Sequence, residues 1–217
     1  NLKMMNKNTS ELLDLTNHLL DFRKVDSRKF VVNKTSTNVS TLVQETFVKF
    51  EELSRQQHKD ISLKIPNKNI YALVDKSGFT KILNNLFSNA IKYSDKRIEI
   101  ELMAEDDSAI LYCKNDGYLI PLDLKEKIFD PFYQIDKNVN TQSSSGVGLS
   151  LARSLTELHG GSLYYEQVGA YNQFVLTVPL SESLGGEEYK EEEIGLNEYI
   201  VEEIESRQDA KYAETVL

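Results

Sequence analysis

The stretch Ile82–Ser94, ILNNLFSNAIKYS, decides how this chain is read. Ile82, Leu83, Leu86, Phe87, Ala90 and Ile91 recur at helical spacing and form a broad apolar stripe. Asn85 and Asn89 stand four apart beside that stripe, and Lys92 follows within a turn, so the three stack along one edge of a helix. A core-facing helix rimmed by two amides and a lysine is the feature to be explained.

Working outward, the helix is expected to start near Lys76. Before it, ISLKI and IYALVD read as short strands separated by the turn signal PNKN. Further upstream, FVVNKTSTN fits a strand and a turn, with Ser40 or Asn38 capping the helix STLVQETFVKFEELSRQQ. After the central helix, RIEIELMAED alternates cleanly and SAILYCKND continues as its hairpin partner. Beyond Pro121 a short helix, LDLKEKIF, leads into the polar run DPFYQIDKNVNTQSSSGVG, which is long for a loop and reads as a lid. The helix LSLARSLTELHGG follows, with His159 in its last turn as a charge-dipole or capping feature and Gly160 as C-cap. SLYYEQ and NQFVLTVPL close the body as strands. Intermixed helices and strands with tight hairpins predict an α+β two-layer sandwich, a mixed β-sheet with helices on one face.

Two flanking segments differ from this body. Met5, Asn8, Leu12, Leu15, Leu19 and Phe22 alternate steps of three and four, a heptad seam widened by Leu13 and Leu20 towards a bundle. His18 lies just off that seam and reads as a solvated surface residue. The chain begins inside this helical pattern and is expected to be part of a longer protein. At the other end, residues 185–217 hold 11 Asp and Glu against 3 Lys and Arg, a net of −8, which leaves −1 for residues 1–184. The tail reads as an acidic linker or as a helix around LNEYIVEEIESR. A balanced body has no basic stripe for nucleic acid. No apolar run is long enough to span a membrane, and no signal-peptide pattern opens the chain. The single cysteine, Cys113, excludes an internal disulfide and fits a reducing compartment.

Two short motifs carry chemistry. In SSSGVGLSL, Ser143 to Leu151, Gly146 and Gly148 precede a helix, where glycines let backbone amides approach a ligand and the helix start offers unpaired N–H groups. In KNDGYLIP, Lys114 to Pro121, Asn115 and Asp116 offer acceptors and Gly117 permits a sharp turn. Either alone is weak; an ordinary Asn-Asp-Gly turn accounts for the second.

The order of the pieces is more specific. NNLFSNAIKYS, NDGYLIP, IFDPFYQ and SGVGLSLARSLTELHGGSL resemble the N box, first G box, F box and second G box of sensor histidine kinases. Their wider superfamily includes DNA gyrase, the heat-shock chaperone ATPases and the mismatch-repair ATPases, with the Bergerat-type ATP-binding fold. The likeness covers roughly residues 30–181. MNKNTSELLDLTNHLLDFRKVD resembles the second helix of the kinase dimerisation and phosphoacceptor hairpin, and the whole is most similar to hybrid two-component kinases of gut bacteria. The implied domains are a partial hairpin helix over 1–28, an ATP-binding catalytic domain over 29–184 and an acidic linker over 185–217.

The resemblance assigns roles. Asn89 matches the residue that holds Mg2+ across the nucleotide phosphates; the ion favours oxygen ligands and keeps several waters. Asn85 stands where ATP-hydrolysing relatives carry a catalytic Glu, and an amide is no general base for water. Lys92 neutralises phosphate charge, and Asn85 and Lys92 are the expected catalytic residues. Tyr93, Asn115, Asp116, Gly117, Ile120, Phe132, Lys137, Ser145, Gly146, Val147, Gly148 and Leu149 complete the expected ATP contacts. Several positions depart from the pattern. Asn115 replaces the Asp that accepts from the adenine amino group; its carbonyl oxygen keeps adenine recognition but loses the charge-assisted component, which implies weaker binding, and Asp116 is the alternative acceptor if the turn shifts register. Leu119 and Ser144 stand where glycines are usual. Gln134 stands where an Arg is common, with Lys137 able to supply that charge from the lid.

The implied activity is transfer of the ATP γ-phosphoryl group to a histidine on a hairpin helix that this chain lacks. None of His18, His58 or His159 sits in an acceptor motif. Expected partners are ATP, the phosphoacceptor hairpin of the same or a partner subunit and a downstream receiver domain, with no nucleic acid and no direct membrane contact. The expected location is the cytoplasm, with the parent anchored in the inner membrane. Two other readings stand beside this one: a degenerate pseudokinase scaffold, and an ATP-hydrolysing machine, against which Asn85 and the short body argue.

Overall fold

In the computed structural model, the described residues are 31–135 and 146–181, together with Thr16 and Leu20, both helical. The remaining heptad positions, His18, the acidic tail, and Lys137 and Ser145 of the lid lie outside the described residues.

The first element pair sets the pattern of the whole. Strand β1 (Thr35–Asn38) runs straight into helix α1 (Val39–Gln56), because the Asn38 side chain accepts the Thr41 N–H at 3.1 Å and caps the helix start. Ser40 serves another purpose: its buried hydroxyl accepts from the Ile70 N–H at 2.9 Å and ties α1 to the approach of the third strand. Strand β2 (Asp60–Lys64) follows, then β3 (Tyr71–Val74). The PNKN turn does not make these two a hairpin. β3 pairs antiparallel with β1 in a separate two-stranded sheet, whereas β2 joins the main sheet.

Helix α2 (Lys76–Tyr93) starts where its sequence predicts, with Asp75 accepting the Gly78 N–H at 2.7 Å. Phe79, Ile82, Leu83, Leu86, Phe87, Ala90 and Ile91 are buried along its stripe. Phe87 meets Phe50 of α1 edge to face at 5.8 Å. β4 (Arg97–Glu105), β5 (Ser108–Asn115), β6 (Ser162–Val168) and β7 (Tyr171–Pro179) complete a sheet ordered β2-β4-β5-β7-β6. β2 and β4 run parallel and the other pairs antiparallel, so the sheet is mixed. Burial alternates along β4 and β5, as expected when one face packs on helices and the other faces water.

Helix α3 (Gly148–Leu158) packs beside α2 on the covered face. The segment predicted as one short helix after Pro121 is two 3-10 turns, Leu122–Leu124 and Lys127–Phe129. His159 sits at the C-cap of α3 and takes the capping part of its expected role, from a buried position. It is 1% exposed, and its Nδ1 meets the Leu155 carbonyl at 2.6 Å, which puts the proton on Nδ1. The ring packs against Gly78, where a Cβ would come within 2.9 Å of it, so α3 seats on the first turn of α2. Cys113 is fully buried, and burial pushes its thiol up to about 12, consistent with a packing role.

Candidate functional site

The two elements that the sequence singles out face each other. Asn85 is buried on the α2 rim, and its amide donates to the Lys81 carbonyl at 2.8 Å. That bond turns its oxygen towards the first residue of α3, where a Cβ on Gly148 would lie 2.6 Å from Asn85 Oδ1. Only glycine lets the α3 start approach the α2 rim this closely. Val147, just before it, is fully buried, and its carbonyl accepts the Leu151 N–H at 3.0 Å and the Ser150 hydroxyl at 2.8 Å.

The start of α3 differs from those of α1 and α2 in having no side-chain cap. Its first N–H groups and the positive end of its dipole therefore remain available to an anion. Gly146, two residues earlier, has φ +68°, and a Cβ there would press on the backbone of Phe132 at 2.8 Å. The Phe132 N–H donates to the Gly146 carbonyl at 2.8 Å, and Phe132 itself has φ +67°. The two ends of the predicted lid are thereby pinned together, with the Phe132 ring 60% exposed. Arg153 of α3 braces the same region, pairing with Glu126 at 2.9 Å and lying over the Phe129 ring at 4.7 Å.

The far end of α2 meets the turn after β5. A Cβ on Gly117 would overlap the Tyr93 carbonyl oxygen, so this turn also depends on glycine. Lys92 lies over the Tyr93 ring at 5.5 Å, and both belong to the last turn of α2. Lys59 caps that turn from the start of β2, donating to the Ile91 carbonyl and, at 2.7 Å, to the Ser94 carbonyl. Burial lowers the Lys59 ammonium's affinity for its proton, with Asp95 and Asp116 opposing that shift.

Asp116 is occupied differently from what its place among the nucleotide contacts implies. One carboxylate oxygen accepts the N–H groups of Asp95, Lys96 and Arg97 at 3.0, 2.9 and 2.9 Å. Burial alone would raise its pKa, but these bonds outweigh it and the group sits below the ordinary carboxylate range. Asp116 clamps the link from α2 to β4, while its neighbour Asn115 is 2% exposed at the end of β5. Ile120 and Leu149 are half-buried and pack against the core.

Sequence reasoning missed Asn172. It reads simply as part of a strand, yet it is buried on β7 and bonds to Asn115, Gly117, Tyr118 and Ile120. The signal was its type, since Asn is depleted in strand interiors. Tyr165, whose hydroxyl is shared between the Ile120 carbonyl and Asn172 Oδ1, was missed too, and Tyr is common in strands, so its type gave no signal.

Residues 74–182 match the histidine kinase-, DNA gyrase B- and HSP90-like ATPase family. The chain belongs to that family. A sensor histidine kinase of Bacillus subtilis (strain 168), WalK, is 27% identical over 187 residues, covering 83% of this chain and 30% of the kinase. The chain spans less than half the length of the first curated relatives that it matches. Among solved structures, the nucleotide-free catalytic domain of histidine kinase ThkA superposes with a TM-score of 0.61 at 29% identity. That match covers 68% of this chain and 95% of the ThkA domain. ThkA in complex with the response regulator protein TrrA gives a TM-score of 0.67 at 26% identity, over 82% of this chain and 50% of that one. Membership of this ATPase family supports ATP as the ligand of this domain.

A magnesium ion fits the donor set. The Asn89 side chain is half-buried on the α2 rim and makes no hydrogen bond to another described residue. Among the described residues no group of three His, Cys, Asp or Glu gathers to hold an ion unaided. One amide oxygen with phosphates and water suits magnesium, which rarely uses an all-protein cage. Among those residues, too, no helix is long and apolar enough to cross a membrane.

Proposed function

We propose that this chain carries the catalytic domain of a two-component sensor histidine kinase, preceded by part of its dimerisation hairpin over 1–28 and followed by an acidic linker over 185–217. The domain holds ATP with its phosphates at the α3 start and moves the γ-phosphoryl group to an imidazole nitrogen of a separate hairpin helix. The phosphorus–oxygen bond to ADP breaks as the phosphorus–nitrogen bond forms. The carrying observation is the Gly148–Asn85 packing, which sets an uncapped helix start against a polar rim.

Within this reading Asn89 supplies the protein oxygen for Mg2+, which when bound neutralises phosphate charge. Asn85 acts from beneath by seating Gly148, and Lys92 adds positive charge at the end of the rim. Gly146, Val147, Gly148 and Leu149 present backbone to the phosphates, and Ser145 and Lys137 are further proposed ATP contacts. Tyr93, Asn115, Gly117, Ile120 and Phe132 surround the base. Catalysis rests on positioning and charge neutralisation, since phosphoryl transfer asks for little else. An amide at Asn85 leaves water unactivated and the nucleotide intact for another nucleophile. The phosphoacceptor hairpin of the same or a partner subunit and a downstream receiver domain are the partners, in a cytoplasmic domain whose parent is anchored in the inner membrane.

The test adds this chain to a separately made hairpin bearing the acceptor histidine, with Mg2+ and γ-labelled ATP. Label is expected on the hairpin, and none on this chain incubated alone. Asn89→Ala is expected to abolish the transfer. Nucleotide binding by calorimetry without any transfer would make the domain a scaffold, and rapid steady-state phosphate release would make it a hydrolase.

A further inference from the structure

Helix α2 ends without the glycine that commonly closes a helix. Its C-cap, Ser94, is extended, with φ −69° and ψ 148°. The carbonyls of its last turn therefore need partners from elsewhere in the fold. Lys59 is such a partner: its ammonium donates to the Ile91 carbonyl and, at 2.7 Å, to the Ser94 carbonyl. Lys92 and Tyr93 lie in the chain between those two held groups.

The chain beyond Ser94 is held by the opposite charge. One Asp116 oxygen accepts the N–H groups of Asp95, Lys96 and Arg97. The carbonyls of the same link are taken too, that of Lys96 by the Asp60 N–H at 2.7 Å and that of Arg97 by the Asp116 N–H at 3.2 Å. Along Ile91–Arg97 a cation thus gathers carbonyls and an anion gathers N–H groups, and both sets of bonds are charge-assisted. Lys59 and Asp60 stand at the start of β2, and Asp116 stands between Asn115 and Gly117. The exit of α2 is therefore fastened on one side to β2 and on the other to the turn after β5. That turn also presses on α2 directly, since a Cβ on Gly117 would lie 1.7 Å from the Tyr93 carbonyl oxygen.

We propose that Lys59 and Asp116 are positioning residues for the nucleotide: together they clasp the exit of α2 and fix where Lys92 and Tyr93 stand, and neither touches the ligand. The proposal rests on the nucleotide-binding reading above, in which Lys92 meets the phosphates and Tyr93 the base. It gives Asp116 a part in binding other than the direct contact that its place in the sequence implies. Helix ends fray, and a site that works by positioning is sensitive to small displacements of the groups it holds. A last turn deprived of its clasp would let Lys92 drift even where the fold survives.

Calorimetry of the whole chain with Mg2+ and the β,γ-imido analogue of ATP tests this, at a temperature where far-UV circular dichroism shows each variant folded. Lys59→Met is expected to weaken binding about tenfold, the scale of one hydrogen bond. Lys59→Arg, which still donates to the carbonyls, is expected to bind as wild type does. Asp116→Asn keeps an acceptor oxygen and gives up the charge, so it is expected to weaken binding about threefold, and it carries the test where Lys59→Met does not fold. A lysine that only stabilised the fold would lower the melting temperature and leave the affinity of the folded protein unmoved. In a Lys92→Ala background, Lys59→Met is expected to cost less affinity than it does in wild type, because it acts through Lys92. Undiminished affinity in folded Lys59→Met or folded Asp116→Asn, or an equal loss in the Lys92→Ala background, would overturn this inference and leave the proposed function standing. Failure of the wild-type chain to bind the analogue at millimolar concentration would remove the nucleotide reading and this inference with it.

Discussion

Replacing Asp116 tests the clamp between α2 and β4. Its oxygen gathers the N–H groups of Asp95, Lys96 and Arg97, all within 3.0 Å. A side chain that accepts backbone N–H groups at a helix start is worth about 0.5–2 kcal/mol. Three donors and a full charge put Asp116 at the top of that range. Its half-exposure lets water replace part of the loss, so Asp116→Ala is expected to cost about 2 kcal/mol and not the sum of three bonds. Asp116→Asn keeps an acceptor oxygen but gives up the charge, which roughly doubles such bonds, so it should cost about 1 kcal/mol. The pH dependence has a definite sign. The folded-state pKa is depressed below the unfolded one, so the ionised group's contribution is complete above the ordinary carboxylate range. It is lost as pH falls through the depressed value. The gap between wild type and Asp116→Asn should therefore hold steady around neutrality and close in acid. Urea denaturation followed by far-UV circular dichroism measures it, since the chain has no tryptophan. An Asp116→Ala variant as stable as wild type at pH 7, or a gap unchanged in acid, would refute the reasoning.

Other substitutions probe the site. Gly148→Ala drives a Cβ to 2.6 Å from Asn85 Oδ1, so it should cost about 1–3 kcal/mol of stability and weaken nucleotide binding; calorimetry showing undiminished affinity would contradict the close approach. The double variant Asn85→Ala, Gly148→Ala removes that clash and should recover part of the stability in thermal melts. Lys59→Met strips the charged cap from the Ile91 and Ser94 carbonyls and should cost about 1–2 kcal/mol, with faster amide exchange in the last turn of α2 as its readout.

Much of this was legible from local pattern. The α2 stripe, its start at Lys76, the β4–β5 hairpin and the α3 helix follow from periodicity and capping, which depend on neighbours a few residues away. Four ordered motifs bring the α2 rim and the α3 start into one expected site, and the Asn85–Gly148 approach shows that these two elements do face each other. The partner of β3 was not legible. PNKN signals only a turn between two strands, whereas pairing depends on which hydrophobic faces meet, and β3 pairs with β1 while β2 runs parallel to β4. Nor was the division of labour between adjacent Asn115 and Asp116 legible. Both are short acceptors in a turn, and only the arrival of the α2–β4 link from 19 to 21 residues away claimed the carboxylate.

The sequence by itself determined the elements and the types of group available to a ligand, because those are properties of short segments. The tertiary structure alone decided which amide ends remain free. Asn85 lost its freedom to Gly148 and Lys81, and Asn115 gave up its oxygen to Asn172 from the far strand β7. Hydrogen-bond capacity is finite, and contacts made across the fold settle how much of it is left for chemistry.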